Sequence, residues 1–173
     1  MNTATTLSAI QLMTQEFRDE AAAAKRILDR VPADKLTWKP HPKSMSLGQL
    51  SLHIARIPNL ISRLLKSDHF DVSQASFSSP DPANLEEIPV AFTESVRAAE
   101  AYFSGLTEDS ATEHWRMMMK EKELSSRPKI AVIRTMLLNH WYHHRGQLSV
   151  YLRLLDVPVP VIYGRSADEG PYS

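Results

Sequence analysis

The sequence predicts an all-α protein: a four-helix bundle with one long crossover connection. Four segments repeat apolar residues every three or four positions, as one buried face of an α-helix does. No segment shows a convincing alternation of apolar and polar residues, which is typical of a half-buried strand. The Ser-, Asp- and Pro-rich stretch 67–88 is too long for a tight turn, so it favours a crossover over simple up-down-up-down order.

The first helix is predicted over 6–31, and the prolines that follow disfavour its continuation. The second begins at Ser46, an N-cap residue with Gln49 three positions later, as in a capping box. His53 lies in the middle of its apolar stripe. Pro58 lies inside the same helix, so we expect a kink there.

The third helix is predicted over 89–104, ending near a glycine. The stretch 114–126, "HWRMMMKEKELSS", is ambiguous between an extended excursion and a short hairpin. The fourth helix is predicted over 128–155, with Pro128 in its first turn. The tail after it is irregular, and no internal repeat or second domain is visible.

The length of 173 residues suits a single domain, 1–173. The absence of cysteine excludes disulfides and thiolate metal ligands. Twenty acidic residues balance twenty basic ones, so there is no electrostatic case for nucleic acid or an anionic membrane as partner. The N-terminus does not resemble a signal peptide, and no apolar run has the length of a membrane span. We therefore expect a soluble cytoplasmic protein.

Histidines occupy the inward stripe of the fourth helix, where apolar residues belong. The stripe recurs every three or four residues and contains Ile133, Leu137, His140, His144, Leu148, Tyr151 and Leu155. His140 and His144 are neighbours on one helix face. A lone buried histidine such as His53 is usually a hydrogen-bonded core residue, and an H-x-x-x-H pair alone is only a moderate signal. Together, the three favour a shared divalent metal, because each unpaired buried imidazole costs about 1–3 kcal/mol.

Zinc, nickel, iron and manganese all accept imidazole nitrogens, so all four are candidate metals; zinc or nickel is expected first, with iron or manganese as alternatives. Three neutral protein ligands leave an open coordination position, as in catalytic sites. A bound water there can reach a pKa of about 7 and act as a nucleophile, and a thiol or carboxylate can take the same position. The H-E-x-x-H signature is absent, because Trp141 stands where the glutamate belongs, and ferritin-type Glu-x-x-His motifs are also absent.

The neighbours of the pair are assigned lesser roles. His143 is expected at the edge of the stripe, beside the site or on the surface. Gln147 lies within hydrogen-bonding reach of the site, and Arg145 is expected to point away and pair on the surface. The remaining histidines lie in predicted loops and are expected to be solvated: His41, His69 and His114.

Three blocks resemble the DinB/YfiT-like family: "LTWKPHPKSMSLGQLSLHIA", "NHWYHHRGQLSVYLRLL" and "VPVPVIYGRSADE". They occur in the family's order and span 36–169. The resemblance implies an up-down-down-up four-helix bundle, often a homodimer, with a divalent metal held by one histidine of the second helix and the H-x-x-x-H pair. Carried onto this chain, those ligands are His53, His140 and His144. Characterised relatives include S-transferases and an isomerase that use thiols such as bacillithiol or mycothiol.

The sequence therefore predicts a metal-dependent enzyme in which the metal activates water or a low-molecular-weight thiol for attack on a small electrophile. The reaction would be thiol S-transferase-like or hydrolase-like. No catalytic base is assigned; Asp19 and Glu20 are candidates only because the first helix passes nearby. Two alternatives remain: a non-catalytic stress protein that binds a metal or small ligand, and a structural homodimer whose histidines are satisfied by water and carboxylates.

Overall fold

Four long helical segments make up most of the fold, as predicted. The computed structural model describes residues 7–76 and 79–170, so Thr6, where the first predicted helix begins, lies outside the described residues. The helices are α1 Ala9–Leu28, α2 Leu47–Leu64, α3 Glu87–Ser104, the short α4 Glu108–Thr112, α5 Lys129–Val132 and α6 His140–Leu154. A π-helical segment, Ile133–Asn139, joins α5 to α6, so these three pieces form the continuous last helix. No described helix combines the length and apolarity needed to cross a membrane.

A three-stranded sheet corrects the all-α prediction. Strands β1 His69–Asp71, β2 His114–Met119 and β3 Lys122–Pro128 lie in the order β1-β2-β3. β1 is parallel to β2, and β2 and β3 form an antiparallel hairpin. The hairpin reading of the ambiguous stretch is thus confirmed. The buried Trp115 of β2 attaches the sheet to the bundle, because its indole N–H donates to the Leu64 carbonyl at the end of α2 (3.2 Å).

Aromatic side chains from three helices form the centre of the core. The Phe17 ring of α1 lies 5.1 Å from Phe103 of α3 and 5.6 Å from Trp141 of α6, measured between ring centroids. All three side chains are buried. Burial of each large apolar side chain contributes about 1.5–3 kcal/mol, so this cluster holds the helices that carry the candidate site in a fixed arrangement.

The start of α2 is held by the predicted capping box. The Gln49 backbone N–H donates to Ser46 Oγ (3.0 Å), and the Ser46 N–H donates to Gln49 Oε1 (2.9 Å). Asp81, in the crossover, accepts from the Ser46 hydroxyl (2.7 Å) and the Gln49 amide (3.2 Å). Gly48 lets the crossover approach, because a Cβ there would lie 2.8 Å from the Pro82 ring. The crossover is therefore fastened against the first turn of α2.

Pro58 interrupts the backbone hydrogen bonds of α2, and side chains from neighbouring helices bond to the backbone groups near it. Proline has no N–H, so the Ile54 carbonyl, four residues earlier, has no partner within the helix. The buried Trp141 indole N–H donates to that carbonyl (2.9 Å). The Asn59 N–H donates to the buried Ser95 hydroxyl of α3 (2.8 Å). The proline thus exposes backbone groups that join α2 to both α6 and α3.

Helices α2 and α3 run in the same direction. Arg56 of α2 forms an ion pair with Glu87 of α3 (2.7 Å), and Asn59 contacts Ser95 further along both helices. Residue numbers therefore increase in the same direction along the two helices. A connection between parallel neighbours has to return along the length of α2, which is about 27 Å for 18 residues. This requirement explains the long crossover after α2.

Candidate metal centre

The three predicted histidines meet at one point between α2 and α6. The Nε2 atoms of His140 and His144 are 2.8 Å apart, and the Nε2 atoms of His53 and His140 are 3.4 Å apart. One ligand atom from each ring can be chosen so that all lie within 4.8 Å of one another. His53 and His140 are half-buried. A cluster of three imidazole nitrogens of this size is compatible with metal binding.

Local structure around His140 and His144 fixes the orientation of both rings. The His144 Nδ1 atom is 2.7 Å from Gln147 Oε1, one helical turn further along α6. The His140 ring is hydrogen-bonded to the backbone of Met136, in the π-helical segment. Second partners of this kind fix the tautomer and the direction of metal-ligating histidines. The expected hydrogen bond between Gln147 and the site is therefore confirmed, and the His144 ring donates it to the amide oxygen.

The environment keeps the three imidazoles neutral. Burial, followed by the charges of His144 and His140, lowers the pKa of His53 to about 4. Burial also lowers the pKa of His144 to about 4, although the hydrogen bond to Gln147 opposes the shift. The pKa of His140 is lowered by burial as well, against the hydrogen bond to Met136. Neutral imidazole is the protonation state that binds a metal.

The ring tautomers make a cation the natural occupant of the cluster. When the second nitrogens of His140 and His144 donate to Met136 and Gln147, both Nε2 atoms carry free lone pairs. Two acceptors 2.8 Å apart repel each other unless a proton or a metal ion lies between them. The residue set therefore fits a divalent metal with three neutral nitrogen ligands, which leaves room for a further ligand.

The other histidines lie away from the cluster of ligand atoms. His143 is exposed, and its ring centroid is 4.9 Å from that of His144, so it lies at the edge as predicted. His69 and His114 belong to strands β1 and β2 and not to loops, which corrects that part of the prediction. Both are exposed, as is His41 in the segment before α2.

Arg145 is buried, so its prediction as a surface residue is wrong. Its side chain is only 3% exposed and pairs with Glu20 of α1 (2.5 Å). Its guanidinium also contacts the Tyr163 hydroxyl and lies 4.8 Å from the centre of that ring. Tyr163 in turn donates to Glu20 (2.7 Å). Glu20 is thus committed to this network, and neither Glu20 nor Asp19 belongs to the histidine cluster.

The network connects the C-terminal segment to the bundle beside His144. Two further ion pairs hold the same segment: Arg153 with Asp168 (2.5 Å), and Arg30 with Glu169. The backbone N–H groups of Val159 and Val161 donate to these carboxylates. The tail motif "YGRSADE" therefore has a structural use. Its two acidic residues form the ion pairs that hold the C-terminal segment against the α1 and α6 side of the bundle.

A groove between α2 and α3 begins beside the centre. Its volume is about 520 Å³, within the range of small-molecule sites. His53 lies in its wall, and Gln49 lies nearby at the start of α2. Sequence reasoning missed this groove, because it forms only when the parallel helices are placed side by side.

Comparisons with known proteins agree with this architecture. The model of the DinB family matches residues 1–171. The chain belongs to the DinB family. A DinB-like protein from Bacillus cereus has a similar structure, with a TM-score of 0.70 and 21% sequence identity over 87% of this chain and 95% of that one. The DinB-like protein YjoA from Bacillus subtilis has a TM-score of 0.68 and 18% identity, over 90% of this chain and 99% of its own. No curated protein matches.

The DinB assignment explains why all three sequence blocks occur together. At 21% and 18% identity the solved DinB-like structures show the fold, and they carry no argument about substrate or reaction. The fold of this chain is mostly helical and includes one small three-stranded sheet.

Proposed function

We propose that this DinB protein is a metal-dependent enzyme and that His53, His140 and His144 bind a divalent metal. One observation carries the proposal: the Nε2 atoms of His140 and His144 face each other at 2.8 Å while their second nitrogens have other partners. When bound, zinc or nickel would activate a water or a low-molecular-weight thiol as a nucleophile toward a small electrophile.

The chain's own residues give the centre its reactivity. Neutral histidines leave the positive charge of the metal undiminished, which favours an anionic ligand in the open position. Gln147 and the Met136 backbone hold the rings, so little reorganisation is required on binding. The groove beside His53 provides space for a small substrate. The proposal includes up-down-down-up order, supported by the parallel packing of α2 and α3, and a homodimeric state.

Thiol consumption tests this function directly. Protein loaded with zinc or nickel would be incubated with bacillithiol and 1-chloro-2,4-dinitrobenzene, and release of chloride and the conjugate would be followed. We expect turnover that is lost in a His53→Ala, His140→Ala, His144→Ala variant. A matched His41→Ala, His69→Ala, His114→Ala variant should retain it, because those three side chains are exposed.

The same experiment distinguishes the proposed enzyme from the non-catalytic alternative. A protein that binds one metal per chain but consumes no thiol with this or other electrophiles would be a metal- or ligand-binding protein. Equal turnover by wild type and the ligand variant would show that the reaction does not depend on the three histidines. Water as the nucleophile predicts hydrolysis of activated esters without any added thiol, again only in the metal-loaded wild type.

A further inference from the structure

The groove between α2 and α3 extends well beyond the metal centre. Along α2 its wall runs from Gln49 past His53 to Arg63. The ten residues from His53 to Arg63 correspond to about 15 Å of helix at 1.5 Å per residue. A ligand that reaches from the metal to the far end must therefore be elongated. Its length is about that of four to five extended peptide residues.

The middle of the groove is apolar and accessible. Leu60 of α2 and Val90 of α3 line it, and they are 46% and 57% exposed. Most large apolar residues in this protein are buried, so two exposed ones on facing walls form a surface suited to an alkyl chain. Arg56 and Glu87 also line the groove, but they are paired with each other (2.7 Å).

The far end carries one unpaired positive and one unpaired negative group. Arg63 of α2 and Glu94 of α3 both line the groove. Within residues 7–76 and 79–170, neither side chain has an ion pair or a hydrogen bond. The ion pair of Arg56 with Glu87 places Arg63 level with Glu94. The contact of the Asn59 backbone with Ser95 places Arg63 about 7.5 Å further along the groove than Glu94, a separation that the two long side chains can span. Opposite charges therefore face the groove without neutralising each other.

We infer that this groove binds an elongated zwitterion, with a metal-binding atom held at the histidine centre and an α-amino-acid group held by Arg63 and Glu94. Arg63 binds the carboxylate, since a guanidinium presents paired donors to two oxygens. Glu94 accepts from the ammonium group. The apolar stem lies along Leu60 and Val90. This inference rests on the proposed function, because the metal-binding end requires the three-histidine centre.

Three matched probes test the charge recognition. Nε-(3-mercaptopropionyl)-L-lysine carries a thiol about 11 Å from a zwitterionic carbon, counting extended bonds. 6-(3-Mercaptopropionylamino)hexanoic acid lacks the ammonium group, and N-(3-mercaptopropionyl)-1,5-diaminopentane lacks the carboxylate. Binding to cobalt-loaded protein is followed by the thiolate-to-cobalt absorption band. Uncharged 3-mercaptopropionamide reports thiol binding at the metal alone.

We expect the zwitterion to bind about fivefold more tightly than either truncated probe, a typical effect for a partly exposed ion pair. Arg63→Gln should abolish the preference for the carboxylate, and Glu94→Gln the preference for the ammonium group. Arg97→Gln is the control, because Arg97 is exposed on α3 but does not line the groove. Metal content should be unchanged in all three variants.

The outcomes separate this inference from the function on which it rests. Equal affinities for the three charged probes, with 3-mercaptopropionamide still binding, would overturn the groove assignment and leave the thiol-binding centre intact. If the preferences for the carboxylate and the ammonium group persist in Arg63→Gln and Glu94→Gln, other residues recognise these charges, and the groove assignment is likewise overturned. Absence of any thiolate band, with cobalt bound, would contradict thiol activation at the centre, and the inference would fail with it.

Discussion

The hydrogen bond from Trp141 to Ile54 is predicted to fix the register in which the three histidines meet. Trp141 follows His140 directly, and Ile54 follows His53. The bond exists because Pro58 leaves the Ile54 carbonyl without a helical partner. Trp141→Phe removes the donor and leaves that carbonyl unpaired in the core. We therefore expect loss of stability and weaker metal binding.

The expected loss follows from burial and from the chemistry at Pro58. An unsatisfied buried carbonyl costs about 1–3 kcal/mol. The smaller ring adds a packing loss of about 1 kcal/mol, since Trp141 is fully buried. The sum is about 2–4 kcal/mol. Pro58→Ala restores an N–H to the Ile54 carbonyl, so Trp141→Phe should cost about 1–3 kcal/mol less in that background.

Urea unfolding of metal-free protein measures this coupling as a double-mutant cycle. Trp115→Phe is the control, because the Trp115 indole donates to Leu64, at the helix end and outside the reach of Pro58. Trp115→Phe and Pro58→Ala should be additive within about 0.5 kcal/mol. Additivity for Trp141→Phe and Pro58→Ala as well would refute the reasoning, because the proline would then not be the reason for the bond.

Three further predictions follow from individual contacts. Gln147→Leu should weaken zinc binding about 10- to 100-fold in competition with a chelator, because His144 loses its orienting partner, whereas Ser149→Ala should have no effect. Glu20→Gln should lower the free energy of unfolding by about 3 kcal/mol, because it leaves the buried Arg145 without its ion-pair partner. Glu100→Gln should lower it by less than about 1 kcal/mol, because the pair of Glu100 with Arg18 is exposed. Equal losses in the two variants would contradict the burial argument. Metal-free protein should lose stability as the pH falls from 6.5 toward about 4. The pKa values of His53 and His144 are lowered in the folded state, so the unfolded chain takes up protons first; a His53→Asn, His144→Asn variant should show a flatter profile.

The helical framework and the histidine cluster were predictable because both depend on helical periodicity. A stripe that repeats every three or four residues places His140 and His144 together on one face, and the same rule points His53 inward. The capping box at Ser46 follows from residues three positions apart. Each of these features depends on near neighbours in the chain, which a single sequence contains.

The sheet, the groove and the role of Arg145 depend on residues far apart in the sequence. Strand β3 has no buried residue, so its sequence lacks the alternation that reveals a half-buried strand. β1 has three residues and gains its partner only through parallel pairing with β2. Arg145 forms its ion pair with the carboxylate of Glu20, 125 positions earlier. Nothing in the local pattern distinguishes it from a solvated arginine.

Metal content is the measurement that tests the central claim most directly. Untagged protein would be analysed by inductively coupled plasma mass spectrometry after reconstitution with zinc or nickel and removal of excess metal. We predict about one metal per chain in wild type and in the His41→Ala, His69→Ala, His114→Ala variant, and none in the His53→Ala, His140→Ala, His144→Ala variant. Equal metal content in the two triple variants, or no metal in wild type, would contradict a three-histidine metal centre.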